Sequence, residues 1–210
     1  MTGRLTLTLF GLLLTIGCGS LPFPVWDHEL ADTAHLVGNE LIYWALVAAT
    51  LLYVSLVERR PLSSIGLRKP SLRDITSAIG TAVVLIVLLA MVYFWVFPLF
   101  HIQEDAQINK LLATPGWWLA ISVVRAGVSE EVLFRGYPIE RLSELTGSRW
   151  AAALLPLVPF MLAHVAPWGW AHLLVAGIGG GILTGLYLWR RNLWANILAH
   201  CLIDGVAVIS

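Results

Sequence analysis

Charge is scarce in this chain. Only 12% of its 210 residues are Asp, Glu, Lys or Arg, about half the ~25% of an ordinary soluble domain. With 58% hydrophobic residues and a mean hydropathy of +0.80, that scarcity excludes a soluble globular fold and predicts an integral membrane protein. There is no basic stripe, which leaves nucleic acid without support as a partner. Cysteine is nearly absent: Cys18 and Cys201 stand singly in apolar segments, with no CxxC and no metal-type spacing, so both read as small apolar fillers. No soluble domain, low-complexity linker or inverted repeat is evident, and the last absence argues against a secondary transporter that uses buried carboxylates as a proton relay.

What is present is a series of apolar runs: Leu5 to Gly19, Leu41 to Val57, Ile75 to Phe97, Trp117 to Tyr137, Trp150 to Val165, Leu173 to Trp189 and Leu193 to Ile209. Most approach the ~20 residues that a helix needs to cross a bilayer, so the expected fold is an all-α, polytopic membrane bundle of about seven transmembrane helices. The first run is short and could also be a cleaved signal segment. Residues 1–114 would hold three spans and residues 115–210 the functional core. Ten of the thirteen basic residues (Arg4, Arg59, Arg60, Arg68, Lys69, Arg73, Arg141, Arg149, Arg190 and Arg191) fall in alternate loops, against Lys110 in the loops opposite. The positive-inside rule then puts the N-terminus in the cytoplasm and the C-terminus outside. The loop between Leu21 and Asn39 is acidic, with Asp27, Glu29 and Asp32. The ten tryptophans lie mostly at span ends and read as an interfacial belt. Gly177, Gly179, Gly180, Gly181 and Gly185 suggest close helix packing.

Against this background the fourth run is anomalous, because it carries Glu130, Glu131 and Arg135. A charge at that depth is costly and faces a bundle interior or a wet cavity. Glu131 and Arg135, four residues apart, can form an ion pair on one helical face, which leaves Glu130, ~100° away, free for another partner. An unpaired carboxylate in an apolar cavity suits a general base acting on water. Phe160 and His164 close the fifth run after Pro156 and Pro159, which are expected to kink or unwind it. Asn196, His200 and Asp204 form one polar stripe on the seventh. At ~1.5 Å per residue, Glu130 and His200 meet in the inner half of the bilayer, whereas His164 falls ~10 Å away. Arg125 is expected to pair within its own span and His172 to sit at an interface; both are weak candidates for substrate contact.

The order Glu130-Glu131-x-x-x-Arg135, Phe160-x-x-x-His164 and His200-x-x-x-Asp204, on three separate helices, resembles the three motifs of the CPBP (CAAX protease and bacteriocin-processing, or Abi) family of intramembrane glutamic-type proteases, over about residues 115 to 208. The resemblance implies an endopeptidase of a prokaryotic cell membrane that cuts a membrane-associated protein or peptide, whether prenylated, a peptide precursor or tail-anchored. It implies that Glu130, helped by His164, activates a water, that Glu131 and Arg135 support the site, and that His200 and Asp204 steady the oxyanion. The family often has Asn in the place of Asp204. An ionised Asp cannot donate to an oxyanion, so Asp204 would be protonated, or orient His200 through its other ring nitrogen, or help to bind a metal. No cofactor is expected; a divalent zinc on Glu130, His164 and His200 is the alternative. The contrasting reading is a non-catalytic scaffold or bacteriocin-immunity protein of the same fold.

Overall fold

The computed structural model describes residues 2–21, 33–102 and 113–209. The acidic stretch with Asp27, Glu29 and Asp32, together with Trp26 and Lys110, lies outside the described residues. Within them the chain is helical, without strands. In chain order the helices are α1 (Thr2–Leu12), α2 (Thr33–Leu52), α3 (Leu72–Met91), α4 (Gly116–Glu130), α5 (Tyr137–Thr146), α6 (Arg149–Ala163), α7 (His172–Arg190) and α8 (Leu193–Ile209). Wide π-type turns extend α1, α2, α3 and α4 at their C-terminal ends, the last of them over Glu131–Gly136.

Four helical stretches are long and apolar enough to cross a membrane: Glu40–Val57, Leu72–Leu99, Arg149–Trp168 and His172–Arg190. Leu5–Gly17 and Leu193–Ile209 are apolar but shorter. The Trp117 to Tyr137 run does not join the four, since Arg125, Glu130, Glu131 and Arg135 interrupt its apolar character. The bundle is apolar outside as well as inside: on α3, Ala78, Ala82 and Leu85 are buried while Val83, Val84 and Val87 are more than half exposed, a surface suited to lipid. Small residues set the closest helix crossings. A Cβ on Gly127 of α4 would come within 2.5 Å of Cys201 Sγ on α8, and one on Gly180 of α7 within 2.8 Å of Phe160 on α6. The glycine-rich face of α7 is only partly used in this way, because Gly179, Gly181 and Gly185 have nothing within 4 Å. Tryptophan is likewise divided: Trp150, Trp170 and Trp189 are exposed, but Trp118 is buried.

Basic residues of the loops are paired across the structure. Arg141 of α5, fully buried, takes Glu58 at 2.5 Å, and Arg60 takes Glu144 at 2.6 Å. Arg190 holds Asp74 at 2.8 Å, whose other oxygen closes a capping box with Ser71 at the start of α3. Arg191 holds Glu140, which also accepts from Tyr187 at 3.1 Å. One end of the bundle is therefore stitched across the 58–74 loop, α5 and the α7–α8 turn. Each arginine is matched to a carboxylate, as charges withdrawn from water must be.

Candidate active site

Glu130 is the last residue of α4 and Glu131 the first of the wide turn that follows. A π-turn holds its backbone bonds to the fifth residue instead of the fourth and is often found at functional positions. Here it contains Glu131 and Arg135, both buried, with Arg135 Nη1 3.1 Å from Glu131 Oε1. The same Oε1 accepts from His200 Nδ1 at 2.8 Å, and Oε2 accepts from Asn196 Nδ2 at 3.0 Å. Arg135 lies with its guanidinium 4.0 Å from the centre of the Phe160 ring and reaches the Gly180 carbonyl at 3.5 Å. Glu131 is thus a buried carboxylate with three donors, the condition under which a charge is tolerated there.

Glu130 is in a different state. Its Oε2 is buried and makes no hydrogen bond, yet it lies 3.8 Å from His164 Nε2 and 3.7 Å from His200 Nε2. Contacts of that length between polar atoms suit a bridging small molecule better than a direct bond. His164 Nδ1 lies 2.8 Å from the Phe160 carbonyl. A carbonyl only accepts, so Nδ1 carries the proton, and in the neutral ring Nε2 presents its lone pair towards Glu130. His200 is held from both sides: Glu131 on Nδ1, Glu130 and Asp204 on Nε2, the latter at 3.5 Å. Asp204 therefore does not orient His200 through the second nitrogen, because Glu131 occupies that nitrogen. Two adjacent glutamates serve opposite edges of one imidazole.

The sequence-level depth estimate leaves His164 misplaced, and α5 supplies the reason it is not. That helix continues past the wide turn for ten residues, ~15 Å, before Gly147 in the left-handed region and the Ser148 cap turn the chain back. The returning α6 starts far beyond Tyr137, and fifteen residues bring it to His164, level with Glu130. Helix α6 is continuous through Pro156 and Pro159 and stops at His164, so the prolines do not unwind it.

One expectation is corrected. Arg125 does not pair within α4: its Nε lies 3.2 Å from Glu40 Oε1 on α2, an oxygen that also accepts from Ser122. His172 is buried, its ring stacked between His164 at 5.9 Å and Trp168 at 5.2 Å. Glu40 and Glu58 were the acidic partners that sequence reasoning missed, and an Arg inside an apolar run is the signal that such partners exist. As they stand, no three His, Cys, Asp or Glu side chains among the described residues are arranged to hold a metal ion; Glu130, His164 and His200 are the set that converges.

Residues 112–206 match the family model described as type II CAAX prenyl endopeptidase Rce1-like. Comparisons with curated proteins and with solved structures returned no match. That stretch, a little under half of the chain, holds Glu130, His164, His200 and Asp204 and is similar to the Rce1-like type II CAAX prenyl endopeptidase family, in line with its three polar motifs.

Proposed function

We propose that the chain is an intramembrane glutamic-type endopeptidase that hydrolyses a peptide bond in a membrane-associated, prenylated or tail-anchored protein. The observation that carries this reading is the contrast between the two adjacent carboxylates: Glu131 has three donors, while Glu130 Oε2 has none and faces two imidazole nitrogens at 3.7 and 3.8 Å. In the proposed reaction a water bound between Glu130 and His164 gives one proton to the Glu130 carboxylate. His164 Nε2 accepts the second hydrogen and so aims the oxygen lone pair. The oxygen adds to the scissile carbonyl carbon, and the carbonyl oxygen becomes an oxyanion. His200, protonated on Nε2, donates to it, while Asp204 and Glu131 balance the imidazolium charge. Glu130 then passes its proton to the amide nitrogen, the C–N bond breaks, and a carboxylic acid and an amine leave.

In this reading residues 115–210 form the catalytic core and residues 1–114 the segments around it. The reading takes seven crossings, with α4 lining the cavity; the bias of basic residues between alternate loops supports an N-terminus in the cytoplasm of a prokaryotic cell and a site nearer that side. A metalloprotease is the second reading, favoured by the convergence of Glu130, His164 and His200; a zinc there would supply the activation of water, with Glu130 as ligand instead of base. A non-catalytic scaffold or immunity factor is the third.

The test is cleavage of fluorogenic lipidated peptides by purified protein, wild type beside Glu130→Gln, with and without chelator. Activity abolished by Glu130→Gln and unaffected by chelator supports the glutamic mechanism; loss with chelator as well selects the metal. Cellular function that survives Glu130→Gln would select the scaffold.

A further inference from the structure

Beyond the wide turn that follows Glu130, the chain builds a second polar feature. Glu140 lies ten residues further on, ~15 Å along the axis, and there α5, the start of α6 and the end of α7 border a shallow cleft lined by Glu140, Ser143, Arg149, Tyr187, Leu188 and Arg191. The cleft carries surplus positive charge. Glu140 is used on both oxygens, accepting from Tyr187 at 3.1 Å and from Arg191, so its one charge offsets Arg191 and leaves Arg149 over. Among the described residues Arg149 has no ion-pair partner and Ser143 Oγ no hydrogen-bond partner, and Arg149 is exposed. Arg191 follows α7 with a left-handed backbone, φ 50°, where glycine is the ordinary choice, and Glu140 holds its side chain. One guanidinium is thus fixed at the cleft, while the other is free to close on a ligand.

The surroundings favour a lipid over a free anion. Trp150, next to Arg149, and Trp189, next to Leu188, are both exposed, and exposed indoles belong at the headgroup level. Leu188 lines the cleft and, at 100° per residue, shares one face of α7 with Gly181 and Gly185, all three within an arc of ~60°. A Cβ on either glycine would meet nothing within 4 Å, and Gly185 is exposed. That face is a shallow channel running ~10 Å from Leu188 towards the middle of the helix, the course an acyl chain takes from its headgroup into the bilayer.

We propose that this cleft binds the headgroup of an anionic phospholipid, with Arg149 and Ser143 donating to the phosphodiester oxygens, Arg191 adding its charge, and one acyl chain lying along Gly185 and Gly181. Two guanidinium groups against one carboxylate leave a single positive charge, the complement of one phosphodiester. Arginine meets phosphate oxygens with the fork of its guanidinium, and basic pockets between membrane helices are a recurrent form of headgroup site. The site shares no residue with the Glu130 constellation and does not depend on the endopeptidase reading. A lipid held there bridges α5 to α6 and α7, and so stabilises the folded chain.

The experiment follows thermal unfolding of the full chain in a neutral detergent with added phosphatidylglycerol, phosphatidylcholine or inorganic phosphate. A ligand of the folded state at a hundred times its Kd raises Tm by about 5–10 °C for a chain of this length. Phosphatidylglycerol gives that rise, whereas phosphatidylcholine and inorganic phosphate at the same concentration give ~1 °C or less, as for a ligand at or below its Kd. Arg149→Gln, which gives up no partner, melts with wild type in the absence of lipid and loses the rise. Arg73→Gln, an exposed basic residue at the same end of the bundle but outside the cleft, keeps it. Gly185→Leu fills the channel and loses it. An equal rise from the two phospholipids, a rise from inorganic phosphate as large as from phosphatidylglycerol, a response that Arg149→Gln and Arg73→Gln reduce alike, or one that survives Gly185→Leu overturns the site. If Arg149→Gln does not fold, Gly185→Leu decides alone: loss of the rise supports the site, and its retention overturns it.

Discussion

Glu131→Gln isolates the cost of breaking the buried charge network. In the native protein Arg135 is 1% exposed and Glu131 fully buried, and the carboxylate accepts from Arg135, His200 and Asn196. The substitution preserves shape and leaves one amide oxygen to accept, but it removes the only carboxylate paired with Arg135 among the described residues. What remains to Arg135 is a 3.5 Å contact with the Gly180 carbonyl and the face of Phe160. An uncompensated buried charge costs about 3–5 kcal/mol, a large part of the ~5–15 kcal/mol by which a folded chain is stable. For a chain of this length that corresponds to a drop in Tm of roughly 6–20 °C. Combining Glu131→Gln with Arg135→Met removes both charges, and most of the loss should return, since well-packed apolar replacements of buried pairs are often neutral. The assay is thermal unfolding in detergent followed by tryptophan fluorescence. A single variant within ~1 kcal/mol of wild type, or a double variant no better than the single, would refute the reasoning.

Further outcomes follow from other parts of the bundle. Glu130→Gln should unfold within ~1 kcal/mol of wild type, because the carboxylate gives up no hydrogen bond at Oε2, while cleavage falls by ~10²–10⁴-fold or more; the two readouts come from one preparation. Gly127→Ala should destabilise by about 1–3 kcal/mol through overpacking, and Cys201→Ala should relieve most of that, as a double-mutant cycle on Tm will reveal. Glu58→Gln leaves the fully buried Arg141 with Glu144 at 3.7 Å in place of its 2.5 Å partner, so folded yield in detergent should fall by several-fold. Ser71→Ala removes the capping box of α3 at a cost of ~1 kcal/mol, read from the same melts, with cleavage at permissive temperature retained.

The parts of the site that were legible in the sequence are the parts whose cost is local. Three ionisable residues inside an apolar run need an interior to face, whatever the rest of the fold, and two polar stripes on later helices supply it. The i, i+4 spacing of Glu131 and Arg135 marked their pairing for the same reason. Partners far apart in the chain were not legible. Arg125 could equally have been served from its own helix, and nothing in the 33–52 segment marks Glu40 as facing it until packing is known. The convergence of His164 with Glu130 depended on the length of α5, a polar helix whose residues read from sequence as the edge of a loop. Asp204 was ambiguous because spacing alone does not tell which edge of an imidazole a carboxylate meets.

The wide turn at Glu131–Gly136 has a consequence for how the two ends of the bundle are related. Helices α4 and α5 run through it as one rod, yet the turn takes up an additional residue, so the face that α4 presents and the face that α5 presents are not in ordinary α-helical phase. Above it, Glu130 looks towards the histidines; below it, Tyr137, Glu140 and Arg141 look towards Glu58, Tyr187 and Arg191. Winding the same residues as a regular α-helix would rotate everything beyond the turn by about 100°, carrying those three side chains off their partners. The turn is the phase adjuster of the rod, and it allows a reactive end and a tethering end, each with its own angular requirement, to share a single helix.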